Sequence, residues 1–153
     1  SAASDVYKRQ SDNGLVYAMN IKFTTANTDP NEFAVHSGNI TYNGGNKNYG
    51  CTGGYVLYLN QAKDGTTTIN GQTTTIPNNE WISVVAVCDF TTHKVNVVAK
   101  SLDSSKTYFD GEVDMADTDA TGMSGLYFKY GKKAYGSISF DNIEIFSADQ
   151  YTE

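Results

Sequence analysis

Apolar and polar residues alternate along most of the chain with a period of two. In residues 15–23 the side chains of Leu15, Tyr17, Met19, Ile21 and Phe23 fall on one face and those of Ala18, Asn20 and Lys22 on the other, which is the pattern of a strand buried on one side. Residues 55–60 repeat it, with Leu57 and Leu59 opposed to Val56, Tyr58 and Asn60. Residues 32–36 and 39–42 read as short strands divided by Ser37-Gly38. Residues 81–90 are apolar on both faces and predict a central strand, after which Thr91-Thr92 turns the chain back into residues 93–102. Residues 106–113, 125–130 and 135–146 complete the set. Between residues 66 and 76 two threonine-rich arms flank Asn70-Gly71, a dipeptide that supplies the two positive φ angles of a type I′ hairpin. The run YNGGNKNYGCTGG, residues 42–54, is too rich in Gly and Asn for regular structure and predicts a long loop carrying Tyr42 and Tyr49. No window has the 3.6-residue period of an amphipathic helix. About ten short strands joined by polar turns predict an all-β protein, an antiparallel two-sheet β-sandwich or jelly roll.

Composition agrees with that reading and narrows the partners. The 153 residues suit one domain, expected over residues 11–149 with 150–153 as a tail. The first ten residues, SAASDVYKRQ, resemble a linker-derived run from the ends of translated environmental sequence assemblies and are set apart as non-native or disordered. There are 11 Tyr, 7 Phe and 14 Gly but 2 Pro, the usage of strands punctuated by turns. With 11 basic and 17 acidic residues the net charge is −6. That surface lacks the basic footprint a nucleic acid demands. No stretch approaches the ~18 apolar residues of a spanning helix, so neither nucleic acid nor a membrane is expected as a partner. Cys88 lies in an apolar run and reads as a small buried hydrophobe; a disulfide to Cys51 is the alternative.

The segment NNEWISVVAVCDFTTHKVNVVAKSLD followed by SGLYFKYGKKAYGSISFDNIEIF resembles concanavalin-like and laminin-G-like jelly rolls, among them carbohydrate-binding modules of bacterial polysaccharide-degrading enzymes. Trp81 opening a long strand, Asp89 in the turn after it and Phe140-Asp141-Asn142-Ile143 in the closing strand carry the resemblance. It implies a sugar-binding, secreted or cell-surface bacterial domain attached to a catalytic neighbour in its parent protein. It also implies a structural Ca²⁺ with Asp141 as a ligand, although a carboxylate beside a strand bulge can equally bind main-chain amides.

Two further clusters bear on catalysis and metals. Glu112, Asp114 and Asp117 resemble the E-x-D-x-x-E signature of laminarinase- and lichenase-type hydrolases, with Asp in place of the final Glu. On a strand Glu112 and Asp114 share a face, as the two carboxylates of a retaining glycosidase must. The plainer reading, a polar strand end running into an acidic loop, is preferred. Residues 117–122 place oxygen ligands at alternate positions before Gly122, but an EF-hand would need Glu where Phe128 stands; a solvated turn is the simpler reading. His36 and His93 have no metal-ligand spacing, and no nucleophile elbow, phosphate loop or dinucleotide fingerprint occurs. Trp81, at the head of an apolar strand, is expected in the core.

Tyrosines are the remaining signal. If Leu126 and Phe128 face inward, Tyr127 and Lys129 face out; if Ile138 and Phe140 face inward, so does Tyr135 face out; and Tyr58 and Asn60 lie opposite Leu57 and Leu59. Aromatic rings with polar edges among Asn, Ser and Lys suit a sugar, whose C–H face stacks on a ring while its hydroxyls take hydrogen bonds. The sequence therefore points to a non-catalytic module binding a polysaccharide or oligosaccharide through Tyr42, Tyr49, Tyr58, Asn60, Tyr127, Lys129 and Tyr135. A small glycosidase using Glu112, Asp114 and Asp117, and a structural or adhesive sandwich without a glycan site, are the alternatives.

Overall fold

The computed structural model describes residues 14–26, 29–37, 54–129 and 136–150, with the main chain alone at Lys129 and Gln150. The expected strand at 39–42, Cys51, and the candidate residues Tyr42, Tyr49 and Tyr135 lie outside the described residues. Ten strands follow in order: β1 (Gly14–Thr24), β2 (Asn31–His36), β3 (Tyr55–Gln61), β4 (Thr66–Ile69), β5 (Gln72–Thr75), β6 (Ile82–Asp89), β7 (Lys94–Ser101), β8 (Thr107–Asp114), β9 (Gly125–Lys129) and β10 (Ser137–Ser147), the last running into a single 3₁₀ turn at Ala148–Gln150. They form two five-stranded sheets, ordered β10-β1-β6-β7-β8 and β5-β4-β3-β2-β9. Every pairing is antiparallel. The fold is the expected two-sheet β-sandwich.

The alternation written in β1 sets the core. Tyr17, Met19 and Ile21 lie level with Ala86, Val84 and Ile82 of β6, and these in turn with Val97, Ala99 and Ser101 of β7. Across the sandwich Phe33 and Val35 stand level with Leu59 and Leu57. Nearly all of these apolar side chains are fully buried, each contributing about 1.5–3 kcal/mol for the larger ones. The Phe33 ring lies 6.0 Å from Tyr17 and 5.3 Å from Phe128. The outer face of β6 is apolar too, because Val87 packs with Val16, Val98 and Ala148 in a second, smaller cluster that Phe146 borders. Cys88 is a free, buried thiol of the main core.

Three expectations change. Trp81 is not a core residue: Ile82 takes the inward place opposite Ile21, so alternation turns Trp81 outward, where Lys22 lies over its ring at 5.4 Å. Val56 was expected to face out with Tyr58, but a register shift between Val35 and His36 makes it the extra residue of a bulge, and it is buried. Phe140 stays 41% exposed; as β10 and β9 are both sheet edges on one side of the sandwich, it covers Phe128 at 4.6 Å instead of entering the interior.

The Asn70-Gly71 turn has φ of 46° and 85°, and its arms pair from Ile69↔Gln72 to Thr66↔Thr75, as the type I′ reading requires. Gly65, at φ 88°, closes the other end of the hairpin, and a Cβ there would lie 2.8 Å from the Ile76 carbonyl oxygen. At Gly71 a Cβ would meet nothing within 4 Å. Gly71→Ala should therefore cost about 1–2 kcal/mol, the left-handed penalty alone. Gly65→Ala should cost clearly more, since it adds a clash with main chain. Urea unfolding of the two variants measures the difference; equal losses would show that the Gly65 contact relaxes freely.

Candidate functional site

Register across β9, β2 and β3 gathers one patch of outward side chains. Tyr127, Ala34 and Tyr58 form one row, and Glu32 and Asn60 form the next, beside the main chain of Lys129. Tyr127 and Tyr58 are two strand spacings apart, about 10 Å between main chains, with a small, fully buried Ala34 between them. His36 and Tyr55 make a third row, and the His36 ring meets Tyr127 edge-on at 6.0 Å.

The bulge explains why Tyr55 joins this face. In a regular strand residues three apart point to opposite sides. With Val56 as the extra residue, Tyr55 and Tyr58 come to the same side and stack at 4.8 Å with planes 29° apart. Asn70 holds that irregularity. Its side-chain oxygen accepts from the Tyr58 amide at 2.7 Å, and its amide nitrogen donates to the Val56 carbonyl at 2.8 Å and to the Asp114 carbonyl at 2.9 Å.

The polar edge of the patch is a linked set. Asn60 Nδ2 donates to the Tyr58 hydroxyl at 3.3 Å, and the Glu32 carboxylate accepts from the same phenol. Partial burial, helped by the Glu32 charge and outweighing the Asn60 hydrogen bond, pushes the Tyr58 phenol up to about 12. The arrangement offers half-buried aromatic rings beside a carboxylate and an amide, which together can stack on an apolar ring face and exchange hydrogen bonds with hydroxyls around it. Of the sequence-derived candidates, Tyr58, Asn60 and Tyr127 converge here, and the main chain of Lys129 runs beside Glu32. Glu32, His36 and Tyr55 were missed. Glu32 and His36 were visible as alternate positions of a predicted strand, whereas Tyr55 needed the bulge.

The three carboxylates considered for catalysis do not form one group. Glu112 and Asp114 lie on the outer face of the other sheet, level with Asn96 and Lys94. Asp114 is ion-paired with Lys94, and Glu112 borders a groove with Asp89, Thr92, Lys94 and Asn96. Asp117 points elsewhere: its Oδ2 accepts from the Ser37 hydroxyl at 2.5 Å, and that bond, with the Asp119 amide, lowers its pKa. The Asp117 carboxylate and carbonyl receive the Asp119 and Ala120 amides, which makes residues 117–120 a hydrogen-bonded turn.

Among the described residues no three His, Cys, Asp or Glu side chains gather as a metal site. Asp141 is exposed, sits at the β1–β10 register shift opposite Asn20, and accepts from the Asn142 amide at 2.8 Å, where Asn142 turns to φ 52°. Ca²⁺ takes six to eight oxygens, main-chain carbonyls and waters among them, of which Asp141 would supply one carboxylate.

No protein-family model matches the chain, and no curated protein does. Solved structures share its fold. The lectin UEA-II, complexed with galactose, matches 86% of this chain and 71% of its own at 10% identity and a TM-score of 0.56. The CBM2 module of the evolved Dit of Lactobacillus casei BL23 phage J-1 matches 88% of this chain and 62% of its own, at 11% identity and 0.52. A mutant of the GH43 protein BlXynB from Bacillus licheniformis matches 88% of this chain at 12% identity and 0.54, and this chain spans 28% of it. At such identities the likeness is one of fold: the chain shares a two-sheet β-sandwich with a lectin, a binding module and a glycoside hydrolase protein.

Two outcomes follow from this geometry. A phenol whose folded pKa is raised from 10.0 to about 12 stabilises fully below pH 10 and loses its contribution as the pH rises toward 12. Urea unfolding should show stability falling above pH 10, with a shallower decline in Tyr58→Phe; identical slopes would count against the half-buried Glu32–Tyr58 contact. For Asp141, the bond to the Asn142 amide predicts that Asp141→Ala loses up to about 1 kcal/mol in EDTA; equal melting curves of the parent chain in EDTA and in millimolar Ca²⁺ would remove the metal from the account. A melting temperature that rises with Ca²⁺ in the parent chain alone would instead establish a calcium ligand.

Proposed function

We propose that this domain is a non-catalytic carbohydrate-binding module that holds a plant or microbial polysaccharide on the outer face of β2, β3 and β9. The observation that carries the reading is the convergence of Tyr58, Tyr127, Glu32 and Asn60 on one face. Rings two strands apart suit an extended saccharide of several residues. Each pyranose can lay its C–H face on a tyrosine while its hydroxyls donate to Glu32 and accept from Asn60. Lectin-like and binding-module folds among the structural neighbours support the reading without identifying the glycan. In the parent protein the module would tether a catalytic domain, secreted or at a bacterial cell surface, to its substrate. A shallow face of this kind should bind oligosaccharides with Kd of about 10 to 1000 µM, −4 to −7 kcal/mol.

The separation of Asp117 from Glu112 and Asp114, and the ion pair that occupies Asp114, favour a module over a retaining glycosidase, which needs two carboxyls flanking one bond. Affinity electrophoresis against β-glucans, xylans, mannans and pectins, together with a reducing-sugar assay, tests both points. Retardation by at least one polysaccharide is expected, weakened about tenfold or more in Tyr58→Ala and in Tyr127→Ala and unchanged in Glu112→Gln and Asp114→Asn, with no sugar released. No retardation by any of them would leave a structural sandwich. Turnover lost in the two carboxylate variants would make the protein an enzyme.

A further inference from the structure

A second groove, of about 420 Å³, is lined by Glu80, Trp81, Leu102, Asp103, Lys106 and Tyr108. Its Trp81 wall belongs to the sheet opposite the one that carries the tyrosine patch, and its Tyr108 wall packs against the main core. Lys22, whose ammonium covers the Trp81 ring, alternates outward between the buried Ile21 and Phe23, so the indole lies on the outer face of the sheet that contains β1 and β6. Leu102 is 52% exposed there, and an exposed apolar side chain beside two aromatic rings has no packing role in the core.

The walls of this groove are already set. Asp103 accepts from the Ser101 hydroxyl at 2.8 Å and from the Ser105 amide and hydroxyl at 2.9 and 2.7 Å. The Lys106 amide returns to the Ser101 hydroxyl at 3.0 Å. On the other side Thr74 Oγ1 donates to the Tyr108 carbonyl at 2.5 Å, and the Tyr108 phenol donates to Glu80 Oε2 at 3.5 Å. The lining therefore combines rigid aromatic surface with a carboxylate at Glu80 and an ammonium at Lys106. Its charges nearly balance, Glu80 and Asp103 against Lys106 and the neighbouring Lys22, so no field selects a strongly charged ligand. The groove is shallow and open, part apolar and part polar, a surface against which one face of a sugar ring can lie while its hydroxyls meet the polar edge.

We propose that this groove is a second saccharide site, for the end of a neutral glycan. A pyranose would lie against Trp81 and Tyr108, with its hydroxyls bonded to Glu80 and Lys106. The site shares the ligand class of the tyrosine face but does not need that face in order to bind, and because its Trp81 wall and the tyrosine face belong to opposite sheets one domain would join two polysaccharide chains.

Trp81 is the chain's one tryptophan, so its emission reports on this groove, whereas electrophoretic retardation reports on the whole domain. The full chain and its Tyr127→Ala variant would be titrated with soluble gluco-, xylo- and manno-oligosaccharides. A saturable change in tryptophan emission is expected with at least one of them. It should persist in Tyr127→Ala and weaken about tenfold in Glu80→Gln, which removes the charge from an exposed acceptor. Emission that responds to no oligosaccharide overturns the proposal, and does so whether or not the chain is retarded by polysaccharide. A response abolished by Tyr127→Ala also overturns it, because Trp81 would then be reporting the other face. An unaltered response in Glu80→Gln would remove the assigned polar contact and with it the groove as the binding site.

Discussion

One side chain connects the hairpin, the bulge and both sheets. Asn70 sits at positive φ in the β4–β5 turn, yet its amide group reaches back to the main chain of Tyr58 and Val56 and across to that of Asp114. Two of these bonds satisfy β3 peptide groups beyond its last pair with β4, Leu59↔Ile69, and the third satisfies the Asp114 carbonyl at the end of β8. They also fix β8 of one sheet against the turn of the other. Without that anchor nothing requires the extra residue to be Val56, and the face that β3 presents outward would not hold Tyr55 over Tyr58. The aromatic surface thus depends on a polar contact made at its far end.

Strand alternation was readable wherever one face is buried and the other wet. Residues 15–23 show it most simply, and the inward set Tyr17, Met19, Ile21 and Phe23 is the one observed in the core. The Asn-Gly turn was equally plain, because its dihedral demand is met by few residue pairs. Alternation failed where the ladder does. Val56 breaks the period by insertion, and a bulge leaves no reliable mark in hydrophobicity. Trp81 misled for a different reason: it directly precedes β6 in a run that is apolar on both faces, where alternation does not say which side is the core.

The candidate site was half legible for the same reasons. Tyr58, Asn60 and Tyr127 could be placed outward from their own strands, but that they form adjacent rows depends on which strands pair, and β2 lying between β3 and β9 is a long-range fact. Glu32 could be placed on its own strand, but its position beside Asn60 comes only through that pairing. The acidic run 112–117 shows the converse. Neighbours in sequence, its carboxylates are divided by the end of β8, so that Glu112 and Asp114 stay on the strand's outer face while Asp117 turns to Ser37. A linear motif could not reveal that the strand ends inside it. At β7 and β8 the outer surface carries the Lys94–Asp114 ion pair in place of the stacked tyrosines of β3, and the chemistry of sugars matches the tyrosines far better than that pair.

The central claim is that saccharide binds the face built by β2, β3 and β9. Amide chemical-shift mapping by NMR during titration with an oligosaccharide from a retained polysaccharide tests it most directly, since every strand carries its own reporters. The account predicts perturbations concentrated at Glu32, Ala34, Tyr55, Tyr58, Asn60 and Tyr127, with the amides of Glu112 and Asp114 unmoved. A pattern centred on Glu112 and Asp114, with the tyrosine face silent, would contradict it.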